Sequence, residues 1–195
     1  FFAVILIARG VIGRGGHAKV HLSSGRWGAS ESKGFLVNEL IDLATRVGQA
    51  LQSKKLMLCT AESCTGGGVA QAVTEVAGSS EWFDCGFVTY SNTSKMEMLN
   101  VSYALIAQMG TVSEEVAGAM AEGALANSNA DVALATTGIA GPTGAVPGKP
   151  VGTVCFAWSK GEHTHTERLV FQGDRASVRE QTVKHSLQGL LRFIE

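Results

Sequence analysis

The sequence predicts an α/β fold, a three-layer α/β/α sandwich around a mixed sheet, folded as a single domain of 195 residues. Two observations carry this. Short apolar runs that read as strands alternate with longer stretches whose apolar residues recur at helical spacing. Near the C-terminus two strand-like runs follow one another across a short turn, which adds an antiparallel hairpin to otherwise parallel strand–helix units. A composition of 45% apolar and 17% charged residues is enough to bury such a core and excludes a disordered chain.

The elements follow in order. Leu36, Leu40, Leu43, Val47 and Leu51 mark one face of a first helix. Lys55–Thr60 reads as a buried strand, and Glu62–Gly68 turns it into a helix that runs to about Val76. A second strand, Gly86–Tyr90, comes after the Gly78-Ser79-Ser80 turn. Ser113 is placed to cap a helix that has Glu114 and Glu115 in its first turn, Val116, Met120 and Ala124 on one face, and its end near Asn127. Asp131–Thr137 is a third strand, leading into the glycine-rich Gly138–Pro142. Gly152–Trp158 and Thr164–Phe171 form the hairpin around Lys160-Gly161. Asp174 caps a last helix with Val183, Leu187, Leu190 and Ile194 on one stripe.

Residues 1–34 read as an irregular, basic, glycine-rich arm and 35–195 as the domain. The apolar run Phe1–Ala8 is eight residues long, short of the ~18–20 that a membrane helix needs, and lacks the flanks of a signal peptide. The net charge of −1 hides an asymmetry: the arm has five Lys/Arg against one acid, the domain eleven against sixteen. A mildly acidic domain disfavours a broad nucleic-acid footprint. The four cysteines form no C-x-x-C and no zinc spacing, so reduced, buried thiols in a cytoplasmic protein are expected, with no metal and no cofactor. His163 and His165 share a strand face without a third ligand nearby in sequence.

In open α/β sheets, chemistry gathers where strands end and loops begin. Three glycine-rich or polar segments lie at such ends. Ala61–Gly68 presents Ser63 and Thr65 ahead of Gly66 and Gly67, where free N–H groups suit an anion or a developing oxyanion. It matches neither a P-loop nor a G-x-S-x-G elbow. Tyr90–Lys95 places a phenol, Asn92 and an amine in one loop, and a desolvated Lys95 could serve as base to a serine. Thr137–Gly144 offers a hydroxyl and the backbone of Gly138, Ile139, Ala140 and Gly141 as an anion nest. Arg175, or Arg179 one turn on, could bring a guanidinium to a phosphate.

In this order the segments AESCTGG (Ala61–Gly67), GFVTYSN with Lys95, GTVSE (Gly110–Glu114), TGIAGP (Thr137–Pro142), KPVGTV (Lys149–Val154) and GDR-x-x-VR ending at Arg179 resemble a known family. It is the C-terminal domain family of the competence/damage-inducible protein CinA, and within it the stand-alone nicotinamide-nucleotide amidases. The likeness runs from about residue 36 to the end. It implies hydrolysis of the carboxamide of nicotinamide mononucleotide (NMN) to nicotinate mononucleotide and ammonia. It further implies Ser63 as nucleophile, Lys95 as its base with Tyr90 alongside, and substrate contacts from Thr65, Gly66, Gly67, Asn92, Thr137, Gly138, Ile139, Ala140, Gly141 and, more weakly, Arg175. The expected partner is this small-molecule substrate, and the chain is expected to form a homo-oligomer.

The sequence also departs from the family. Ala145 stands where many relatives have a further glycine, and the basic arm has no counterpart in the stand-alone proteins. No part of the chain resembles the molybdopterin-binding-like domain of long CinA proteins, so an activity of that domain, such as ADP-ribose pyrophosphatase, is not expected of these residues. Two readings of another class stay open on residues alone: a non-catalytic nucleotide-binding or regulatory module on the same glycine loops, and a competence- or damage-related interaction protein whose arm touches nucleic acid.

Overall fold

The structure is a computed structural model that describes residues 31–195, with side chains described from Glu39 onward. Most of the expected arm therefore lies outside the described residues, as does the side chain of Leu36. Helix α1 (Glu31–Lys54) starts inside the stretch assigned to the arm. Then come β1 (Leu58–Glu62), α2 (Gly68–Thr74), a 3-10 turn at Ser79–Glu81 and β2 (Phe83–Val88). They are followed by α3 (Asn92–Leu99), α4 (Tyr103–Met109), α5 (Glu114–Ala126), β3 (Val132–Gly138), β4 (Thr153–Lys160), β5 (His163–Val170) and α6 (Arg175–Ile194).

The expected α/β sandwich with a mixed sheet is observed. The five strands lie in the order β2-β1-β3-β4-β5, with β1 parallel to both β2 and β3, and with β3/β4 and β4/β5 antiparallel. Successive strand residues point to opposite faces, and the two faces differ in size. Leu58, Val132, Leu134, Val154, Phe156 and Trp158 face a core shared with α1, α2 and α6. Cys59, Ala61, Ala133, Ala135, Cys155 and Ala157 face the other core, with α5. Small residues on that second face let α5 sit close to the sheet, whereas the first layer fills its space with large side chains such as Trp158, whose indole N–H donates to Ser186 O (3.0 Å).

Several element bounds are corrected. Lys55, with φ of 54°, closes α1 instead of starting a strand, and β1 runs on through Glu62. Helix α2 ends at Thr74, two residues before the expected Val76. The Tyr90–Lys95 segment is not all loop: Asn92 opens α3, and α4 was not expected at all. The hairpin strands shift by one or two residues, with the turn at Gly161-Glu162. The caps at Ser113 and Asp174 stand as expected, their side chains accepting from Val116 N–H and Ser177 N–H.

The topology positions the site. Helix α2 leaves β1 on the large-residue face, while α5 enters β3 from the small-residue face. Between connections that diverge in this way, an open sheet leaves a crevice at the C-terminal strand ends. Register aligns three ends there: Glu62 is level with Val88 on β2 and with Thr136 on β3. Ser63 N–H donates to Thr136 O (3.0 Å), and Thr89 N–H donates to Glu62 O (2.8 Å).

Candidate active site

Ser63 is the first residue beyond β1 and is nearly buried. Behind it the chain must reverse into α2, and Gly66 (φ 60°) and Gly67 (φ 92°) take the left-handed conformations that this turn requires. The fully buried Glu62 fixes the far side, its carboxylate accepting Val69 N–H (3.0 Å) and Ala70 N–H (2.8 Å) from the first turn of α2. Read as part of a loop, Glu62 carried no role in the sequence; its place as the last residue of a buried strand makes it the anchor of the turn.

Lys95 reaches Ser63 from α3. Ser91 caps that helix, its Oγ accepting Ser94 N–H (3.0 Å) while Ser94 Oγ accepts Ser91 N–H (3.1 Å). The Lys95 side chain is fully buried, and its Nζ donates to Ser63 Oγ (3.0 Å) and to Thr89 O (2.7 Å). Burial lowers its pKa from 10.5 to about 8, outweighing the opposing effect of Cys64. No carboxylate hydrogen-bonds to its Nζ among the described residues. A neutral amine here can keep one N–H on Thr89 O and turn its lone pair to the Ser63 hydroxyl.

Cys64, next in the chain, carries a thiol beside the Ser63 hydroxyl. Burial pushes its thiol up to about 12, so it stays protonated at neutral pH, and the thiol is a poor nucleophile beside the thiolate.

Ser63 and Cys64 line a cavity of about 230 Å³ with Tyr90, Thr111, Val112, Thr137, Gly138, Ala140 and Arg175. Tyr90 sits at its rim, 62% exposed, and its hydroxyl accepts from Arg175 Nη2 (3.1 Å) instead of joining Ser63 and Lys95. Arg175 is exposed and also donates to Gly141 O (2.9 Å), which ties the rim to the loop after β3. Thr137 donates to Thr111 O (2.9 Å), and Thr111 donates to Asn92 Oδ1 (2.8 Å), so one chain of hydrogen bonds joins β3, the loop before α5 and the start of α3. Gly138 passes so close to its neighbours that a Cβ there would lie 2.9 Å from Thr153 O and 3.1 Å from Cys64 Sγ.

Other expected contacts are placed differently. Thr65 is buried with its hydroxyl paired to Thr136 Oγ1 (2.8 Å), away from the cavity. Ile139 N–H is taken by Thr153 O (2.8 Å), and neither Ile139, Gly66 nor Gly67 lines the cavity. Thr111 and Val112 were not singled out in the sequence, although the GTVSE block contains them. His163 stacks on Phe193 and His165 on Trp158, each packed against an aromatic ring.

A comparison with known proteins bears on this geometry. The model of the CinA C-terminal domain matches residues 40–194, most of the chain. The chain belongs to that family. It is similar to the nicotinamide-nucleotide amidohydrolase PncC of Pseudomonas putida, 51% identical over 157 residues that cover 80% of this chain and 98% of the relative. The protein of the same name from Escherichia coli K12 is 50% identical over 155 residues, covering 78% and 93%. Among solved structures, the competence/damage inducible protein CihA from Agrobacterium tumefaciens superposes with a TM-score of 0.78 at 40% identity, over 80% of this chain and 96% of that one. The cavity's lining residues, from Ser63 to Arg175, all fall within residues 40–194 that the family model matches.

Proposed function

We propose that this chain hydrolyses the carboxamide of NMN, releasing nicotinate mononucleotide and ammonia, with Ser63 as nucleophile and Lys95 as its base. The observation that carries the proposal is the buried 3.0 Å contact between Lys95 Nζ and Ser63 Oγ at a strand end, in a chain half identical to relatives named for this activity.

In the first step the Lys95 lone pair takes the Ser63 hydroxyl proton as Oγ bonds to the carboxamide carbon, and the carbonyl π pair moves onto oxygen. Backbone N–H groups of the turn after Ser63 stabilise that oxyanion. As the tetrahedral intermediate collapses, the C–N bond breaks and Lys95 returns its proton to the departing nitrogen, which leaves as ammonia. Water then adds to the ester carbon, giving one proton to Lys95, and Ser63 recovers it as the C–Oγ bond breaks. The pyridine ring occupies the cavity, Thr137, Gly138 and Ala140 lie along it, and Arg175 at the exposed rim meets the phosphate.

The test is incubation of the purified chain with NMN, with ammonia and nicotinate mononucleotide measured together. Equal amounts of both products are expected from the parent, and none above background from Ser63→Ala, which should still bind NMN. Turnover by Ser63→Ala at the parent rate would remove the serine mechanism, and a parent that binds NMN without products would favour a non-catalytic nucleotide module.

A further inference from the structure

Arg179 stands behind the nucleophile turn. It extends from the second turn of α6, half-buried, and donates Nε–H to Cys64 O (3.1 Å) and Nη2–H to Thr65 O (2.8 Å). It reaches them from a groove of about 370 Å³ between α1, α2 and α6, which it lines with Thr65 and Gly68. Ser63 and Cys64, by contrast, line the cavity in which the chemistry is placed. The turn is therefore a thin wall with the guanidinium on one side and the nucleophile on the other.

Peptide geometry gives this contact a consequence. A trans peptide unit is planar, with its N–H opposite its C=O. A Cys64 carbonyl held by Arg179 turns the next N–H, that of Thr65, away from the guanidinium. A Thr65 carbonyl held likewise turns Gly66 N–H the same way. Gly66 N–H is spent inside the turn on Ser63 O (3.1 Å), whereas Thr65 N–H has no acceptor among the described residues. A cation on a carbonyl oxygen also polarises that peptide and makes its N–H a stronger donor.

We propose that Arg179 is a positioning residue. By holding the Cys64 and Thr65 carbonyls, it aims the Thr65 N–H at the oxyanion formed when Ser63 adds to the substrate. The inference rests on the serine reading above, and it gives different tasks to the two arginines that the sequence offered for a phosphate, of which Arg175 was the one expected to contact it: Arg175 faces the cavity, and Arg179 acts through the backbone.

The experiment compares the parent with Arg179→Met, Arg179→Ala and Arg175→Met in three measurements: kcat and KM for NMN, the rate at which a fluorophosphonate labels Ser63 by intact mass, and the thermal midpoint. Arg179→Met is expected to lose about 10²–10³-fold in kcat, the scale of one oxyanion donor, with KM within about threefold. Labelling should slow in parallel, because the probe's phosphoryl oxygen needs the same donor. Guanidinium at a sub-denaturing concentration should restore about tenfold of the lost rate in Arg179→Ala, while sodium chloride at equal ionic strength restores none. Arg175→Met should instead raise KM.

A raised KM with kcat retained in Arg179→Met would make Arg179 a substrate contact and overturn the proposal. So would a loss that only follows the folded fraction and resists guanidinium. If the parent labels at Ser63 but leaves NMN intact, the substrate reading fails and the labelling rates alone decide the role of Arg179. If it does neither, both fall.

Discussion

Lys95 is a fully buried amine held by a serine hydroxyl and a backbone carbonyl, and its cost to the fold follows from its charge. With a folded pKa near 8 against 10.5 unperturbed, the unfolded chain holds more protons than the folded one between those values. The contribution of this group to stability therefore rises with pH across that window, and below it the full cost of burying an ammonium is present. Replacing Lys95 by Met is expected to abolish turnover while raising the thermal midpoint at pH 7, a trade of stability for function that differential scanning calorimetry would detect. Cys64→Ser should keep most of the parent kcat, since the neutral thiol does no chemistry; loss of turnover with the fold intact would give Cys64 the role assigned to Ser63. At this scale Ser63, Lys95, Thr137 and Gly138 of the candidate site were legible, because hydroxyls, amines and glycines cluster at strand ends. The roles of Glu62 and Arg179 were not: both act on backbone groups of the nucleophile turn, Arg179 from more than a hundred residues away.

Helix α3 shows how an element can escape a reading of apolar periodicity. Its buried residues are Lys95 and Leu99, so half of its inward face is a charged residue type and no apolar stripe marks it. Helix α4 is seven residues long with only Ile106 buried, too little for a pattern. By contrast β3, α5 and α6 declared themselves through continuous apolar runs or through caps at Ser113 and Asp174. The placement of α3 matters because it delivers Lys95, the proposed base, to Ser63. Ser91→Ala removes the half of its capping box in which Ser91 Oγ accepts Ser94 N–H and is expected to cost ~1 kcal/mol of stability, read by urea unfolding, with a fall in kcat larger than the folded fraction explains. Gly123 on α5 touches the end of α3 so closely that a Cβ would come to 2.0 Å from Leu99 O. Gly123→Ala should accordingly destabilise by ~1–3 kcal/mol and also lower kcat, since α3 must move to make room.

For the molecule as a whole, the crevice at the ends of β1, β2 and β3 follows from strand order, which the sequence did not reveal: β1 lies between β2 and β3, and the direction of each connection decides where the sheet opens. Charge and composition divide the chain into a glycine-rich arm, 1–34, and a domain, 35–195, while the family model matches residues 40–194. The relative from P. putida is covered over 98% of its own length by the matched part of this chain. A chain trimmed to residues 31–195 is accordingly expected to keep kcat for NMN within about twofold; a larger loss at full folding would give the arm a part in turnover. No described helix is long and apolar enough to cross a membrane.

The central claim is that a buried, neutral Lys95 activates Ser63, and the pH dependence of kcat/KM for NMN tests it most directly, because that profile reports the ionisation of the free enzyme. It should rise about tenfold per pH unit below about 8 and level off above, following the lowered lysine pKa. A profile that is flat or falls across pH 7–9 would contradict the claim.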